Sequence, residues 1–447
     1  MITDQAEEAL PISYLYGTER TVLLMNVRST ASRGLQPARE TSLAVRNAEA
    51  RRDNSRVEAA IAVAGLKGRT DVVAATASAN ADVVDREARF PREAIAAARS
   101  QRLLGIMVPH HLGGEGASVS EVVDVCYALG RACASTAMVY AMHQTKVALV
   151  VRHGQNCAWH ERLLRRLAAE QLLLASSTTE GQGGGDVRKS AAPIIEEGDG
   201  IALERAATVI SYGEQADGIV TTARRSAEAS ASDQVLAVFL KQDYSLQRLV
   251  GWDTLGMRGT CSSGFKLRAS GVREQILPEP YETIHPRTMM PVAHLTWSGA
   301  WAGIAAGAVE RARLFVRDAA RRSSGQLPPG AAHLTRANAA LRTLRALVAS
   351  SLQRFEAAAF DEGALEALDF QTAMNLLKVN ASELAIATVM SSLQACGLTG
   401  YRNDGEFSIG RHLRDVLSSP IMINNDRILA NVAAASMLGT VPASLRD

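Results

Sequence analysis

Residues Thr178–Val187 read TTEGQGGGDV, and this stretch stands where the chain changes from one sequence pattern to another. Before it, over about 55–174, apolar residues recur at helical spacing. After it, over about 175–285, short runs rich in Val, Ile, Thr and Leu alternate with Gly, Asp and Ser, which is typical of a small antiparallel sheet or barrel. Over about 286–447, long Ala-rich helical patterns return. The order of helices, strands and helices predicts an α+β fold with separate layers.

These patterns divide the chain into four expected regions. Residues 1–54 show no sustained periodicity and are predicted to form a loosely ordered N-terminal extension. Residues 55–174 are expected to be a helical domain, 175–285 an antiparallel β-barrel-like domain, and 286–447 a C-terminal four-helix bundle. The strands predicted within the β domain include Ala207–Ser211, Gly218–Thr222 and Val235–Leu240.

The composition excludes several classes of protein. A net charge of +2 over 447 residues leaves no clustered basic excess for nucleic acid. No stretch approaches the roughly 20 apolar residues of a membrane span, and no signal peptide is recognisable. The cysteines form no CxxC pair and have no His at metal-ligand spacing. We therefore expect a cytoplasmic protein with reduced thiols and no metal site.

Four segments carry a resemblance to a known family. They are, in chain order, Leu104–Pro109 with Gly113–Gly116 and Ala128–Arg131, then Thr178–Val187, then Leu255–Gly264, and last Gln394–Tyr401 followed by Arg411 and Arg414–Asp415. Together these segments resemble the acyl-CoA dehydrogenase superfamily of flavoproteins over about residues 90–438. Leu398 departs from the last motif, where the family has a Gly. Taken alone, the Gly-rich run could be a surface turn, and it lacks the helix that follows a dinucleotide-binding fingerprint.

The resemblance implies an FAD cofactor, with reduced FMN or FAD supplied by a reductase as the alternative. A flavin ring needs close backbone approach, which Gly permits, and hydroxyl or N–H donors along its polar edge. By resemblance, Thr179 and Ser211 lie against the isoalloxazine ring, and Val209 stands where the family has a Trp. The residues assigned to the cofactor are Ser177, Thr178, Thr179, Gly184, Gly185, Ile210, Ser211, Arg321, Gln394, Gly397, Asn425 and Arg427.

Two of these residues imply a second subunit. In the family, an Arg and a Gln contributed by a neighbouring subunit bind the pyrophosphate, and Arg321 and Gln394 fall at those places. The resemblance therefore implies a homo-oligomer, a dimer or a tetramer. The alternative for Arg321 is a solvated charge at the end of a helix.

The resemblance fails at the catalytic base. Desaturation of an acyl thioester requires a carboxylate on the substrate side of the flavin to remove the α-proton. Counting from Arg414–Asp415 without a gap puts Ile423 at the family's glutamate, and a shift of three residues would be needed to bring in Asp426. Some members place the glutamate at the start of the first C-terminal helix, where this chain has Ala293. Both places therefore lack a carboxylate.

Two histidines are the catalytic candidates that remain. His294 follows Ala293 and is expected to titrate near neutral pH in place of the missing groups, the alternative being a local hydrogen bond at a helix start. His143 lies on a helix whose equivalent in the family lines the substrate cavity. It could orient a substrate oxygen or protonate a flavin peroxide, or it could be a core histidine with its hydrogen bonds satisfied.

Three functional hypotheses follow. The first is an FAD-dependent oxidoreductase that acts on an acyl thioester, bound to CoA or a carrier protein, or on a related small molecule with a displaced or absent base. The second is a monooxygenase of the same fold that uses reduced flavin and O2 in secondary metabolism. The third is a non-catalytic flavin-binding paralogue, which the joint presence of Thr179, Ser211 and Gln394 disfavours.

Overall fold

The computed structural model describes residues 65–180 and 187–438. The predicted extension over 1–54, and with it any account of its order, lies outside these ranges. Gly184 and Gly185, which the resemblance assigns to the cofactor, lie in the gap. The predicted sequence of helices, strands and helices is confirmed in the described part of the chain.

The N-terminal region is helical. Its helices are α1 (65–86), α2 (Arg92–Ser100), α3 (Val119–Ala132), α4 (Ala134–His153) and α5 (Ala158–Glu170). Helix α3 begins with a capping box, in which the Glu121 N–H donates to Ser118 Oγ and the Ser118 N–H donates to the Glu121 carboxylate at 2.8 Å. In α4 every side chain from Ala134 to Val150 is buried, so this helix runs through the interior.

The middle region consists of two sheets. One has the strand order β1-β4-β5 and the other β2-β3-β7-β6. The strands are β1 (Leu174–Ser177), β2 (Ile195–Glu197), β3 (Gly200–Ala207), β4 (Gly218–Arg224), β5 (Gln234–Leu240), β6 (Tyr244–Val250) and β7 (Gly264–Val272). The pairs are antiparallel as predicted, with the exception that β1 and β4 run parallel.

One predicted strand is misplaced, because it shares only Ala207 with the observed strand β3. The expected strand Ala207–Ser211 ends at Ala207, where β3 pairs with Phe265 of β7. Beyond that point the N–H of Ile210 donates to the carbonyl of Ser263, and the N–H of Tyr212 donates to the carbonyl of Thr260. These bonds turn the chain away from the ladder and leave Ser211 in a loop.

The C-terminal region is again helical. It contains α6 (Tyr281–Ile284), a π-helical turn (His285–Met289), α7 (Met290–Arg322), α8 (Ala331–Ala358), α9 (Glu362–Glu366), α10 (Leu368–Tyr401), α11 (Gly410–Val416) and α12 (Asn425–Leu438). Helix α7 is buried continuously from Met290 to Val309 and packs on α3, α4, α8 and α10. Where α3 and α7 cross, a Cβ on Gly130 or Gly303 would overlap a backbone carbonyl of the other helix, so their backbones touch there.

Candidate active site

A cavity of about 1140 Å³ lies between α4, the ends of the middle strands, and helices α6, α7 and α10–α12. Two of its sides differ in chemistry. We call one the hydroxyl wall, formed by Ser176, Thr178, Thr179, Ser211, Thr260 and Ser262 of the middle region. We call the other the helical wall, formed by Met138, Met142, Lys146, Met289, Ala293 and Trp297.

Three hydroxyls of the hydroxyl wall form a chain of hydrogen bonds. Thr260 Oγ1 donates to the carbonyl of Met257 at 2.8 Å, Ser262 Oγ lies 2.7 Å from Thr260 Oγ1, and Ser211 Oγ lies 2.8 Å from Ser262 Oγ. Each hydroxyl has one proton, so all three bonds can form together only if Ser262 donates to Thr260 and Ser211 donates to Ser262. Ser211 then presents oxygen lone pairs to the cavity.

The loop that carries Thr260 and Ser262 is fastened to α11. The Met257 N–H donates to Asp415 Oδ1 at 2.7 Å, and a Cβ on Gly256 would overlap the carbonyl of Arg414. Burial raises the pKa of the Asp415 carboxyl to about 6. Arg414 in turn pairs with Asp85 of α1. The segments Leu255–Gly264 and Arg414–Asp415, which are far apart in sequence, are therefore in direct contact.

The residues of the cavity fit a flavin. The hydroxyl wall offers polar groups of the kind that an isoalloxazine edge requires, and Thr178, Thr179 and Ser211 all line the space. On the helical wall, the buried indole Nε1 of Trp297 has no hydrogen-bond partner among the described residues. A bound molecule with an acceptor atom could satisfy that donor. The volume is large enough for a planar ring system together with a small substrate.

Lys146 is the residue of the helical wall that the sequence analysis missed. Its side chain is only 2% exposed, and its Nζ lies 3.1 Å from Met289 Sδ. Burial lowers the pKa of this amine to about 7. The one available sequence signal was a lysine directly before the apolar run Val147–Val151 in a helix.

His294 lines the same cavity but does not behave as predicted. Its Nδ1 lies 2.9 Å from the carbonyl of Met374, which can only accept, so Nδ1 carries the proton and Nε2 has a lone pair. Burial lowers the pKa of His294 to about 3. The expectation that His294 titrates near neutral pH is therefore corrected: the ring is neutral in the folded protein at that pH.

His143 is a core histidine in this structure. Its Nε2 lies 2.9 Å from the carbonyl of Leu104, and its Nδ1 accepts the N–H of Leu174 at 3.0 Å. Burial lowers its pKa to about 4, and it does not line the cavity. Both ring nitrogens are occupied by the backbone, which supports the alternative that the sequence left open. We give His143 no part in the chemistry below.

Both predicted carboxylate positions line the cavity without a carboxylate. Ile423 has a φ of 54°, which a β-branched residue rarely adopts, and Ala293 lies on α7. Asp426 is exposed and lies outside the lining. Among residues 65–180 and 187–438, two carboxylates line the space. Glu180 is held by the backbone N–H groups of residues 191 and 192, and Glu282 is exposed on α6.

The other predicted cofactor residues fall into two groups. The first group lies in the interior or in the cavity lining. Ser177 and Ile210 are buried, and Arg427 lines the cavity. Asn425 forms hydrogen bonds with Lys378 and Ser382 of α10. The second group lies on the exposed surface away from the cavity, and it comprises Arg321 at the end of α7 and Gln394 and Gly397 on α10.

The described residues also bear on two other classes of function. Within residues 65–180 and 187–438, no group of three or more His, Cys, Asp or Glu side chains could hold a metal ion. In the same ranges no helix is long and apolar enough to cross a membrane.

Comparison with known proteins places this fold. The family model for the acyl-CoA dehydrogenase N-terminal domain matches residues 68–171, and that for the acyl-CoA dehydrogenase C-terminal domain matches residues 287–438. The chain is 26% identical to cyclohex-1-ene-1-carbonyl-CoA dehydrogenase of Geobacter metallireducens, over 79% of this chain and 92% of that protein. It is 27% identical to the amino sugar nitrososynthase DnmZ of Streptomyces peucetius, over 76% of this chain and 84% of that protein.

A solved structure shares the architecture. FMN-bound TdsC from Paenibacillus sp. A11-2 superposes with a TM-score of 0.73 at 18% identity, over 84% of this chain and 98% of that one. TdsC is a dibenzothiophene monooxygenase. The two domain models together span more than half of the chain, and the fold and the ordered motifs agree with them. This chain therefore belongs to the acyl-CoA dehydrogenase family of flavin-dependent oxidoreductases.

Proposed function

We propose that this protein oxidises a small organic substrate with reduced flavin and O2, as a monooxygenase built on the acyl-CoA dehydrogenase fold. The observation that carries the proposal is the pair Ile423 and Ala293. Both line the cavity at the two places where a carboxylate base would come from, and neither can accept a proton. Oxygen transfer from a reduced flavin does not require a base that removes an α-proton, so it tolerates this loss.

The chain's own residues have separate tasks in this proposal. A bound flavin supplies the redox chemistry. Thr178, Thr179 and Ser211 hold the polar edge of its ring, with Ser211 fixed as an acceptor by Ser262. The helical wall presents thioether and indole groups, which exclude water and bind an apolar substrate body.

FAD is the proposed cofactor, with FMN as the alternative. Arg321 and Gln394 are exposed in the single chain, as they would be if they reached the pyrophosphate of a second copy. We accordingly propose a homo-oligomer in the cytoplasm, served by a flavin reductase. Gln394→Ala should then lower FAD affinity while leaving FMN affinity unchanged, since FMN lacks the pyrophosphate. Equal affinities of the variant and the wild type for FAD would reject this role.

A second candidate is dehydrogenation of an acyl thioester. It is favoured by the similarity to cyclohex-1-ene-1-carbonyl-CoA dehydrogenase, which extends over most of both chains. It requires a base other than the family's carboxylate.

Two measurements separate the candidates. The flavin-loaded protein is mixed anaerobically with a panel of acyl-CoAs, and loss of flavin absorbance would support dehydrogenation. The reduced protein is then given ¹⁸O2 with candidate substrates, and mass spectrometry of the products follows the label. Labelled product without anaerobic bleaching supports the monooxygenase. Bleaching without labelled product would overturn it, and failure to bind either flavin would reject both candidates.

A further inference from the structure

Lys146 stands in an unusual environment for an amine. It lies in the interior helix α4, points into the cavity, and is 2% exposed. Its single hydrogen bond among the described residues is to the thioether of Met289, a weak acceptor. An ammonium ion with such a partner is costly to bury, so the amine is either neutral or paired with a bound ligand.

A second buried lysine provides a contrast within the same chain. Lys378 of α10 lies outside the cavity lining, and its Nζ donates to Asn425 Oδ1 at 2.7 Å. It also lies 5.7 Å from the centre of the Trp301 ring. Lys378 therefore has an amide oxygen and an aromatic ring as partners, whereas Lys146 has no oxygen acceptor among the described residues and faces the cavity.

The position of Lys146 relative to the missing base is the decisive observation. Met289, which its Nζ contacts, is four residues before Ala293 on one continuous helical segment, and both line the cavity. Residues four apart on a helix are neighbours on one face, roughly 5–6 Å apart at Cβ. The amine of Lys146 thus reaches the cavity within about one helical turn of the place where some family members carry their glutamate.

We propose that Lys146 is the proton acceptor of this cavity and that the substrate is a weak acid, of the phenol or enol type, which binds as its anion against the Lys146 ammonium. The step is a simple proton transfer. The O–H bond of the substrate breaks, its electron pair stays on oxygen, and the proton forms a new N–H bond on the neutral amine. The product is an ion pair, which gives Lys146 the partner that the described residues do not supply.

This inference deepens the proposed function. The oxidation of the bound anion rests on the proposed function, whereas the proton transfer to Lys146 does not. An electron-rich anion is the form of a phenol or enol that is readily oxidised. The low pKa of Lys146, about 7, leaves much of the amine neutral at neutral pH and so able to accept the proton.

The neighbouring charges do not provide another explanation. The ionisable groups that line the cavity beside Lys146 are His285 of the π-turn, His294 of α7, Arg414 of α11, Arg427 of α12, Glu282 of α6, and Glu180 and Arg188 of the middle region. Burial is the cause of the lowered pKa of Lys146, with no contribution from any of these groups. His294 is neutral and can accept one hydrogen bond at Nε2, but its pKa of about 3 makes it a far weaker base than the amine.

The first test measures the amine directly and needs no flavin turnover. The chain has six lysines, at positions 67, 146, 189, 241, 266 and 378, so ¹³Cε-lysine labelling gives a small set of NMR signals. Lys146→Met and Lys378→Met assign the two buried residues by loss of one signal each. Since methionine matches the Met-rich wall, Lys146→Met should fold. We expect a titration midpoint near pH 7 for Lys146. A Lys146 signal that stays protonated through neutral pH would overturn the proposal.

The second test uses 3-nitrophenol, a weaker acid whose anion alone is yellow, at a pH above the pKa of Lys146 and below the phenol's own pKa. Wild-type protein should bind it as the yellow anion and shift the Lys146 signal to its protonated position. Lys146→Met should bind it as the colourless phenol, on the order of 10- to 100-fold more weakly, as expected for the loss of a charged hydrogen bond. Lys378→Met should still give the yellow complex.

Two outcomes of this second test would overturn the proposal. One is binding of the colourless phenol by the wild type. The other is equal affinity of the wild type and Lys146→Met, including the absence of measurable binding to either. Failure of the proposed oxygenation would look different, because the yellow complex would form and no labelled product would follow.

Discussion

The two walls of the cavity differ in whether their buried polar groups have hydrogen-bond partners within the protein. On the hydroxyl wall, Ser211, Ser262 and Thr260 satisfy one another in a directed chain that ends on a backbone carbonyl. On the helical wall, Lys146 is buried against a thioether, and Trp297 Nε1 has no partner among the described residues. A satisfied wall is complete before a ligand arrives, whereas an unsatisfied wall depends on one.

This difference indicates which wall serves which ligand. A cofactor that is present throughout turnover suits a surface whose polar groups are fixed in direction, because their orientation is prepared in advance. A substrate that comes and goes suits a surface whose ionisable group changes its protonation state on binding. The contrast places the flavin against the middle region in our proposal, and the substrate against α4 and α7.

The largest expected effect comes from disrupting the contact between α11 and the loop that carries Thr260 and Ser262. In Gly256→Ala, the added methyl group would overlap the backbone carbonyl of Arg414, and neither backbone can move without breaking the bond from Met257 to Asp415. We expect a loss of about 3 kcal/mol or more in the free energy of unfolding, at the upper end for overpacking. Urea denaturation and the flavin content of the purified protein measure it.

A matched substitution sets the baseline for that experiment. Gly251 lies in the same connection between β6 and β7, and an added Cβ there meets no atom within 4 Å. Gly251→Ala should therefore keep wild-type stability and flavin content. Wild-type stability in Gly256→Ala would show that the loop is not fastened to α11 in the way described.

A smaller effect tests whether the helical wall holds its ionisable groups neutral. His294 has a pKa of about 3 in the folded protein, against an ordinary value of 6.5. Below pH 6.5 the unfolded chain takes up a proton that the folded chain refuses, so stability present above pH 6.5 is lost as the pH falls toward 3. When the pH is lowered from about 7 to about 5, the neutral His294 ring should decrease the free energy of unfolding by roughly 2 kcal/mol.

His294→Gln removes that proton uptake and should flatten the pH dependence by the same amount. Unfolding free energies of wild type and variant are measured by urea denaturation at both pH values. The wild type contains other buried histidines with lowered pKa, such as His143 and His160, so only the difference between the two proteins is informative. His110→Gln, at an exposed position, is the control. An unchanged slope in His294→Gln would mean that the ring is not held neutral.

The two walls also differ in how far they could be predicted from sequence. The hydroxyl wall could be predicted from short stretches of sequence, because Thr178, Thr179 and the Gly-rich segments belong to motifs that can be recognised along the chain. The position of β3 and the parallel pairing of β1 with β4 were not predicted, and the bonds that keep Ser211 out of a strand come from residues some fifty positions later. The family's order of helices, strands and helices was likewise readable from periodicity alone.

The properties of the helical wall could not be predicted from short stretches of sequence. Lys146 sits in a run that predicts a helix correctly, but its burial depends on α7 and the π-turn, which lie more than a hundred residues away. The neutrality of His294 similarly depends on the carbonyl of Met374 on α10. Sequence showed that a carboxylate was absent at Ile423 and Ala293. It could not show that an amine from another helix reaches the same neighbourhood.

The smallest expected effect concerns the direction of the hydrogen bonds on the hydroxyl wall. Ser211 donates inward to Ser262 and so offers only lone pairs to the cavity. Reduced flavin carries an N5–H that can donate to such an acceptor, whereas oxidised flavin does not. Ser211→Ala should therefore weaken the binding of reduced flavin more than that of oxidised flavin, by about 1 kcal/mol, which is roughly fivefold in affinity.

The same asymmetry predicts a change in reduction potential that distinguishes an acceptor from a donor at Ser211. A loss of about 1 kcal/mol in the reduced state alone lowers the two-electron potential by about 20 mV. Potentiometric titration of the bound flavin measures it, with the exposed Ser245→Ala on β6 as the control. If Ser211 instead donated to the oxidised ring, its removal would raise the potential, and the hydroxyl chain would have to run in the opposite direction. The sign of the shift therefore decides the direction of the chain.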